Sequence, residues 1–423
     1  MNLAILLGEW KTDGYVDRMR AKLPVWVLGL ANAPYGCFNG LITVAMPILL
    51  RAQGVSVMKI AGIITLATSP LFWVFLISPL LDVGLSRKAY CWIFAAVASA
   101  SLVATFWLIH DVTAVTVLLV VGYSAATMYH YALYGWLTER MEPEDYATTS
   151  SACEIASLGG AGLFAAVTVW LERTLSASVA AGTLAALFVL PVLLIALFPN
   201  SEHPARQARA VFGTFFGDLY TLLKQRRCRY GLLVFLAPVC SFALPFAAVG
   251  VEFHTSEQWS ATINGPLTSV ACGLGCLTAA YICRRISARM SYVLTGLVAA
   301  MVTGAMMPAA RTMAVFATGR LLYTFLQGLN FASFGTLLYQ IVGKKNPLAG
   351  TQLSLLTASS CLPIVYMTAL DGVGFAHGGV NGMLAVDTFV AVGTCVPVLL
   401  FFWRVKKTGR EAAEAGTMMA GNT

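Results

Sequence analysis

Residues 176–198 read SASVAAGTLAALFVLPVLLIALF, 23 consecutive positions without a charged side chain. Wound as an α-helix at about 1.5 Å per residue, such a run reaches about 34 Å, enough to cross a hydrocarbon layer roughly 30 Å thick. Bilayer hydrocarbon holds no water to satisfy backbone N–H and C=O groups, so a run of this kind must be helical, and the short alternating segments of a barrel are missing. Outward from it the same pattern repeats. Of 423 residues, 58% are apolar and 11% charged, against roughly 25% charged in a soluble domain. Apolar runs lie at 25–50, 57–80, 89–110, 113–137, 147–171, 176–198, 231–253, 263–283, 291–309, 312–340, 350–371 and 382–403. The expected fold is therefore all-α and integral to the membrane, with twelve transmembrane helices.

Polar residues between Asn200 and Tyr230 form the longest interruption and fall between spans six and seven. They divide the chain into an N-terminal six-helix bundle (1–199), a central loop (200–230), a C-terminal bundle (231–405) and a tail (406–423). Ala33-Pro34-Tyr35-Gly36-Cys37 in span one and Ala237-Pro238-Val239-Cys240 in span seven hint at an internal duplication. Met1 to Trp10 has its apolar run before any charge, the wrong order for a secretory signal, and is expected to be an interfacial lead-in to an uncleaved first span.

Basic residues set the orientation, because Lys and Arg collect on the cytoplasmic side. With the N-terminus inside, that side carries four before span one, Arg87 and Lys88, Arg140, six in the central loop, Arg284, Arg285 and Arg289, Lys344 and Lys345, and four in the tail. The opposite side carries only Arg51, Lys59, Arg173 and Arg311. Both termini are thus expected in the cytoplasm, at the cytoplasmic or inner membrane. The net charge of +8 reads as anchoring beside anionic membrane lipid rather than as a nucleic-acid patch. Cys37, Cys153, Cys240, Cys272, Cys361 and Cys395 lie inside apolar runs and read as small core residues; no disulfide or metal framework is expected.

Polar side chains at helical spacing mark the faces turned toward a central cavity. At about 100° per residue, Asn32, Tyr35, Asn39 and Thr43 share an arc of about 80° on span one. Tyr123, Thr127, His130 and Tyr134 share about 60° on span four, and Arg320, Tyr323, Gln327 and Asn330 about 80° on span ten. Span five adds Ser150, Glu154 and Ser157 on one side. The plainer reading is that hydroxyls and amides bind helices to one another. Glu154 and Arg320 stand apart, because an ionisable side chain within a span costs at least about 2.5 kcal/mol unless it is paired or watered. Their depths differ by several ångströms, so each is expected to have its own partner. Glu154 is the candidate for proton coupling and Arg320 for attracting an anionic substrate group, with snorkelling to the outer interface as the plainer role of Arg320. Gly36, Gly40, Gly159, Gly160 and Gly162 are expected at close helix contacts, and Pro34, Pro70, Pro238, Pro245 and Pro363 at kinks.

The junction of spans two and three reads Ser78-Pro79-Leu80-Leu81-Asp82, then Arg87-Lys88. It resembles the loop between helices two and three of the major facilitator superfamily, and specifically that of the AmpG-like permeases, whose relatives carry muropeptides, acetyl-CoA or siderophores. Thr351-Gln352-Leu353-Ser354-Leu355-Leu356-Thr357-Ala358, the stretch from Leu158-Gly159 to Leu163 with Trp170-Leu171, and Leu50-Arg51-Ala52-Gln53-Gly54-Val55-Ser56 are similar to further segments of that branch. The resemblance implies two pseudo-symmetric six-helix bundles and a gating loop of Asp82, Arg87 and Lys88. The chain departs from the branch at Val83, where an Arg usually follows the loop Asp, and at Met128-Tyr129-His130-Tyr131, where span four usually carries an acid.

No Gly-x-x-x-x-Gly-Lys-Ser/Thr loop is present to use ATP, and neither His-Glu-x-x-His nor Gly-x-Ser-x-Gly occurs. Of the five histidines only His130 lies well within a span. The expected function is secondary active transport of a small amphiphilic or anionic solute, muropeptide- or siderophore-like, by proton-coupled alternating access in a monomer without cofactor or metal. Polyspecific drug or metabolite export is the alternative; an enzyme or a channel fits less well.

Overall fold

A computed structural model of the chain describes residues 23–199, 208–241, 249–344, 346 and 348–420. The expected lead-in at 1–10, the four basic residues before span one and Pro245 lie outside the described residues.

Short polar side chains place the helix starts where hydropathy is blind to them. Ser56, Ser86, Ser287 and Thr312 each accept the backbone N–H three residues on, and Asp111 accepts two, from Thr113 and Ala114, which satisfies donors that have no partner inside the helix. Span three accordingly runs Arg87–Trp107 and span four Val112–Arg140, a turn or less from the apolar limits. Ten stretches are long and apolar enough to cross a bilayer among the described residues. The last, Ala349–Phe402, has 54 residues, about 80 Å of helix and far more than one crossing needs. Non-helical backbone at Gly378 and Gly379 breaks it into spans eleven and twelve; Gly379, at φ +58°, is where a residue without Cβ is required.

Span seven differs from the expected 231–253. Its helix begins at Arg226 and stops at Phe235, and Cys240 takes a left-handed φ of +53°. Pro238 supplies the reason, since it lacks an N–H and disfavours helical backbone in the residue before it. Residues Val249–Phe253 then form a 3-10 turn. The central loop is partly helical as well: Ala208–Lys224 is an α-helix that buries Phe215 and exposes Phe216 and Tyr220.

Packing within the halves rests on glycine. A Cβ at Gly36 would sit 1.9 Å from the Ser157 carbonyl oxygen and one at Gly40 2.1 Å from that of Ala161, so spans one and five touch backbone to backbone. Spans eight and ten do the same through Gly275 against Phe325 and Gly328 against Cys272. Gly159 meets nothing within 4 Å, so the close contact expected there is not made. The contacts that join the halves lie from mid-depth to the end carrying Asp82 and Arg140. Among them are Ser78 with Ser354 (2.6 Å), Thr351 with Asp82 (3.1 Å), Ser150 donating to the Ala332 carbonyl (2.8 Å), and Lys344 with Glu142 (2.7 Å). This end of the molecule is sealed.

Candidate functional site

Asn32 sits at the break between the Val25–Ala31 and Ala33–Gly40 helices of span one, where Pro34 cannot donate to the ladder. Fully buried, its amide NH2 donates to the Cys153 carbonyl of span five at 3.1 Å, and its oxygen lies 2.8 Å from His130 Nδ1 of span four. Because the NH2 is committed to Cys153, Nδ1 carries the proton and donates to Asn32. The His130 ring packs on Tyr35 at 4.4 Å and on Tyr134 at 4.1 Å between centroids. Tyr134 donates its hydroxyl to Glu154 Oε1 at 3.1 Å. Glu154 is only partly buried, and Tyr134 is its one hydrogen-bond partner among the described residues. Farther along, Tyr35 stacks with Tyr123, whose hydroxyl donates to Asn39 Oδ1 at 3.3 Å. Spans one, four and five are thus joined by one polar and aromatic chain running from Asn39 to Glu154.

Span ten is divided. Arg320 Nε donates to Asn264 Oδ1 of span eight at 2.8 Å, Gln327 to the Cys240 carbonyl of span seven at 3.2 Å, and Asn330 to the Tyr292 carbonyl of span nine at 3.3 Å. Tyr323 and Thr127 are buried. Arg320 and Glu154 form no ion pair with each other, as their depths suggested, and Arg320 is 8% exposed, which leaves no snorkelling head in water. The structure therefore gathers Asn32, Tyr35, Asn39, Tyr123, His130, Tyr134 and Glu154, and distributes Arg320, Gln327 and Asn330 among contacts inside the second half.

Two features escaped the sequence reading. Tyr339, fully buried near the end of span ten, meets Tyr134 at 5.2 Å and Tyr146 at 5.7 Å; it lies about 180° around the helix from Asn330, off the stripe. It carries the aromatic chain across into the second half. The other is a set of π-helical turns, Leu41–Ala45, Ile155–Gly159 and Ile263–Leu267, which follow Asn39 and Glu154 closely and contain Asn264. Such turns shift the register by one residue and recur at functional sites.

At the sealed end Arg87 is wholly buried, with its guanidinium 3.2 Å from Asp82 and 2.6 Å from Glu139. Gly135 makes room for it, since a Cβ there would lie 2.5 Å from Arg87 Nη1. Asp82 Oδ2 in turn accepts the Thr351 hydroxyl from span eleven. Lys88 lies apart from this cluster and donates to the Ala196 and Phe198 carbonyls at the end of span six. Glu139 and Thr351 complete the arrangement, and only Thr351 fell within a segment singled out from sequence.

No protein-family profile matches the chain and no curated protein matches it. Solved structures do. The E. coli fucose:proton symporter FucP is 14% identical, with a TM-score of 0.69 over 89% of this chain and 98% of that one. The human organic anion transporter MFSD10 gives 15% identity and a TM-score of 0.66 over 88% and 98%. A bacterial homologue of the iron transporter ferroportin gives 13% and 0.65 over 89% and 98%. The chain has the major facilitator fold: an all-helical, multi-pass membrane protein.

Proposed function

We propose that this protein is a secondary active transporter that moves a small amphiphilic or anionic solute across the cytoplasmic membrane by alternating access, driven by protons. The fold supports the transporter class, since FucP and XylE, which share it, are proton symporters. The observation that carries the coupling is the chain Asn32, His130, Tyr134, Glu154. Glu154 offers a partly buried carboxylate whose partner Tyr134 also packs on Tyr339 of the opposite half. Changing the charge on Glu154 changes the strength of the Tyr134 bond, and so bears on the contact between the halves. The conformation, sealed at the end rich in Lys and Arg, is then outward-facing. Asp82, Arg87 and Thr351 serve as the inner latch. Arg320, held by Asn264, is the cation that attracts an anionic group of the solute. The similarity of the span-two and span-eleven segments to the AmpG-like branch supports muropeptide- or siderophore-like cargo.

The test is uptake into proteoliposomes under an imposed pH gradient, with muropeptide, siderophore and acetyl-CoA compared. Gradient-driven uptake of one of them is expected; if none moves, the cargo class is wrong. An E154Q protein whose uptake still follows the gradient overturns the coupling role.

A further inference from the structure

A cavity of about 600 Å³ opens among the ends of spans seven, nine, ten and twelve and shares no lining residue with the chain of Asn32 to Glu154. Its polar wall is Arg226, Arg227 and Arg289, with Gln340; Tyr230 and Phe401 flank it. All three arginines are exposed. Arg226 donates Nε to the Tyr230 hydroxyl at 2.9 Å and lies over that ring, and Tyr230 meets Phe401 at 5.7 Å. Among the described residues no carboxylate is within ion-pair distance of any of the three, and three positive charges face one cavity. The amphipathic Ala208–Lys224 helix ends beside it, with Phe216 79% and Tyr220 59% exposed, as suits aromatic side chains at a bilayer interface.

We infer that this cavity is a binding site for the phosphate headgroup of an anionic phospholipid. Guanidinium forks match phosphate oxygens in pairs, and the site is placed where headgroups lie, at span ends on the face richest in Lys and Arg. Below the arginines the wall turns apolar at Val234 and Leu337, which offers a path for an acyl chain. A soluble phosphate has no use for that lower wall. The inference stands whether or not the transport reading holds.

The full-length protein, purified in mild detergent, is titrated with cardiolipin, phosphatidylglycerol, phosphatidylcholine or inorganic phosphate. Lipid retention is read by native mass spectrometry and stability by the thermal unfolding midpoint. Anionic lipids are expected to stay bound and raise the midpoint, and phosphatidylcholine and phosphate are not. R226Q/R227Q/R289Q is expected to weaken retention by about tenfold or more, at roughly 1 kcal/mol per basic residue near the surface. R284Q/R285Q, which removes two charges from the same face outside the cavity, is expected to leave retention unchanged. Should the triple variant fail to fold, R289Q alone is expected to weaken retention by about threefold or more. Equal retention of phosphatidylcholine, or equal loss in R284Q/R285Q, overturns the site. Protection by inorganic phosphate equal to that by lipid overturns the lipid and assigns the cavity to a soluble anion.

Discussion

Glu154 is the residue on which the proposed coupling depends, and its neighbours define what substitution does. Gln keeps the shape and an acceptor for the Tyr134 hydroxyl while removing the titration. E154Q is therefore expected to fold, to lose gradient-driven uptake by about tenfold or more, and to retain substrate exchange without a gradient, as intramembrane acids in proton relays do. Exchange and gradient-driven uptake measured in one proteoliposome preparation separate these. Asp371 poses a different problem. It is wholly buried in span eleven, and neither carboxylate oxygen has a hydrogen-bond partner among the described residues. Burying a carboxyl group without a hydrogen-bond partner destabilises, so D371N is expected to raise the thermal midpoint by about 2–4 °C per kcal/mol recovered. A fall instead would mean that the carboxylate holds a partner. Of the candidate residues, Glu154 and Arg320 were legible from sequence because charge in an apolar run is rare whatever the packing. Asn264, the partner of Arg320, was not: one asparagine beside Gly265 and Pro266 gives no sign of which helix it faces.

At the scale of elements, the contact of spans one and five leaves no room for a side chain. An added methyl at Gly36 would meet backbone at 1.9 Å, whereas Gly159 has open space. Overpacking a fixed helix pair costs roughly 1–3 kcal/mol or more. G36A is thus expected to lower the thermal midpoint by several degrees, while G159A leaves it unchanged or slightly higher. Matched changes would contradict the close approach. Span existence was readable because hydrocarbon demands about 20 apolar residues in a row. Span ends and irregularities were less so. Caps such as Ser86 and Asp111 extend or trim helices by a turn, the break after Phe235 depends on Pro238, and a π turn leaves no mark on hydropathy because it inserts one residue without changing composition.

For the whole molecule, the sealed end turns on a buried cluster that joins spans two, three, four and eleven. Removing one partner from a buried ion pair typically costs about 3–5 kcal/mol, because the other charge is left behind. R87A is expected to open this end: alkylation of a cysteine placed at Ser354, in a background without the ten native cysteines, should rise severalfold from the Arg-rich side, and transport should fall. K88A removes only bonds to the Ala196 and Phe198 carbonyls and is expected to do neither. If the two variants behave alike, the latch is a matter of net charge rather than of this geometry.

The sequence alone determined that the chain is a bundle of membrane helices, because the solvent imposes that requirement on each segment separately. Asymmetry in Lys and Arg sets the expected orientation on the same terms. Only the tertiary structure decided which partners Arg320 and Glu154 hold, that Tyr339 links the halves, that Lys88 stands outside the cluster of Arg87, and that three arginines from two spans share a cavity. These are relations between segments distant in the chain. They follow from which faces glycines let touch and where helices break, and no periodicity within a single span encodes them.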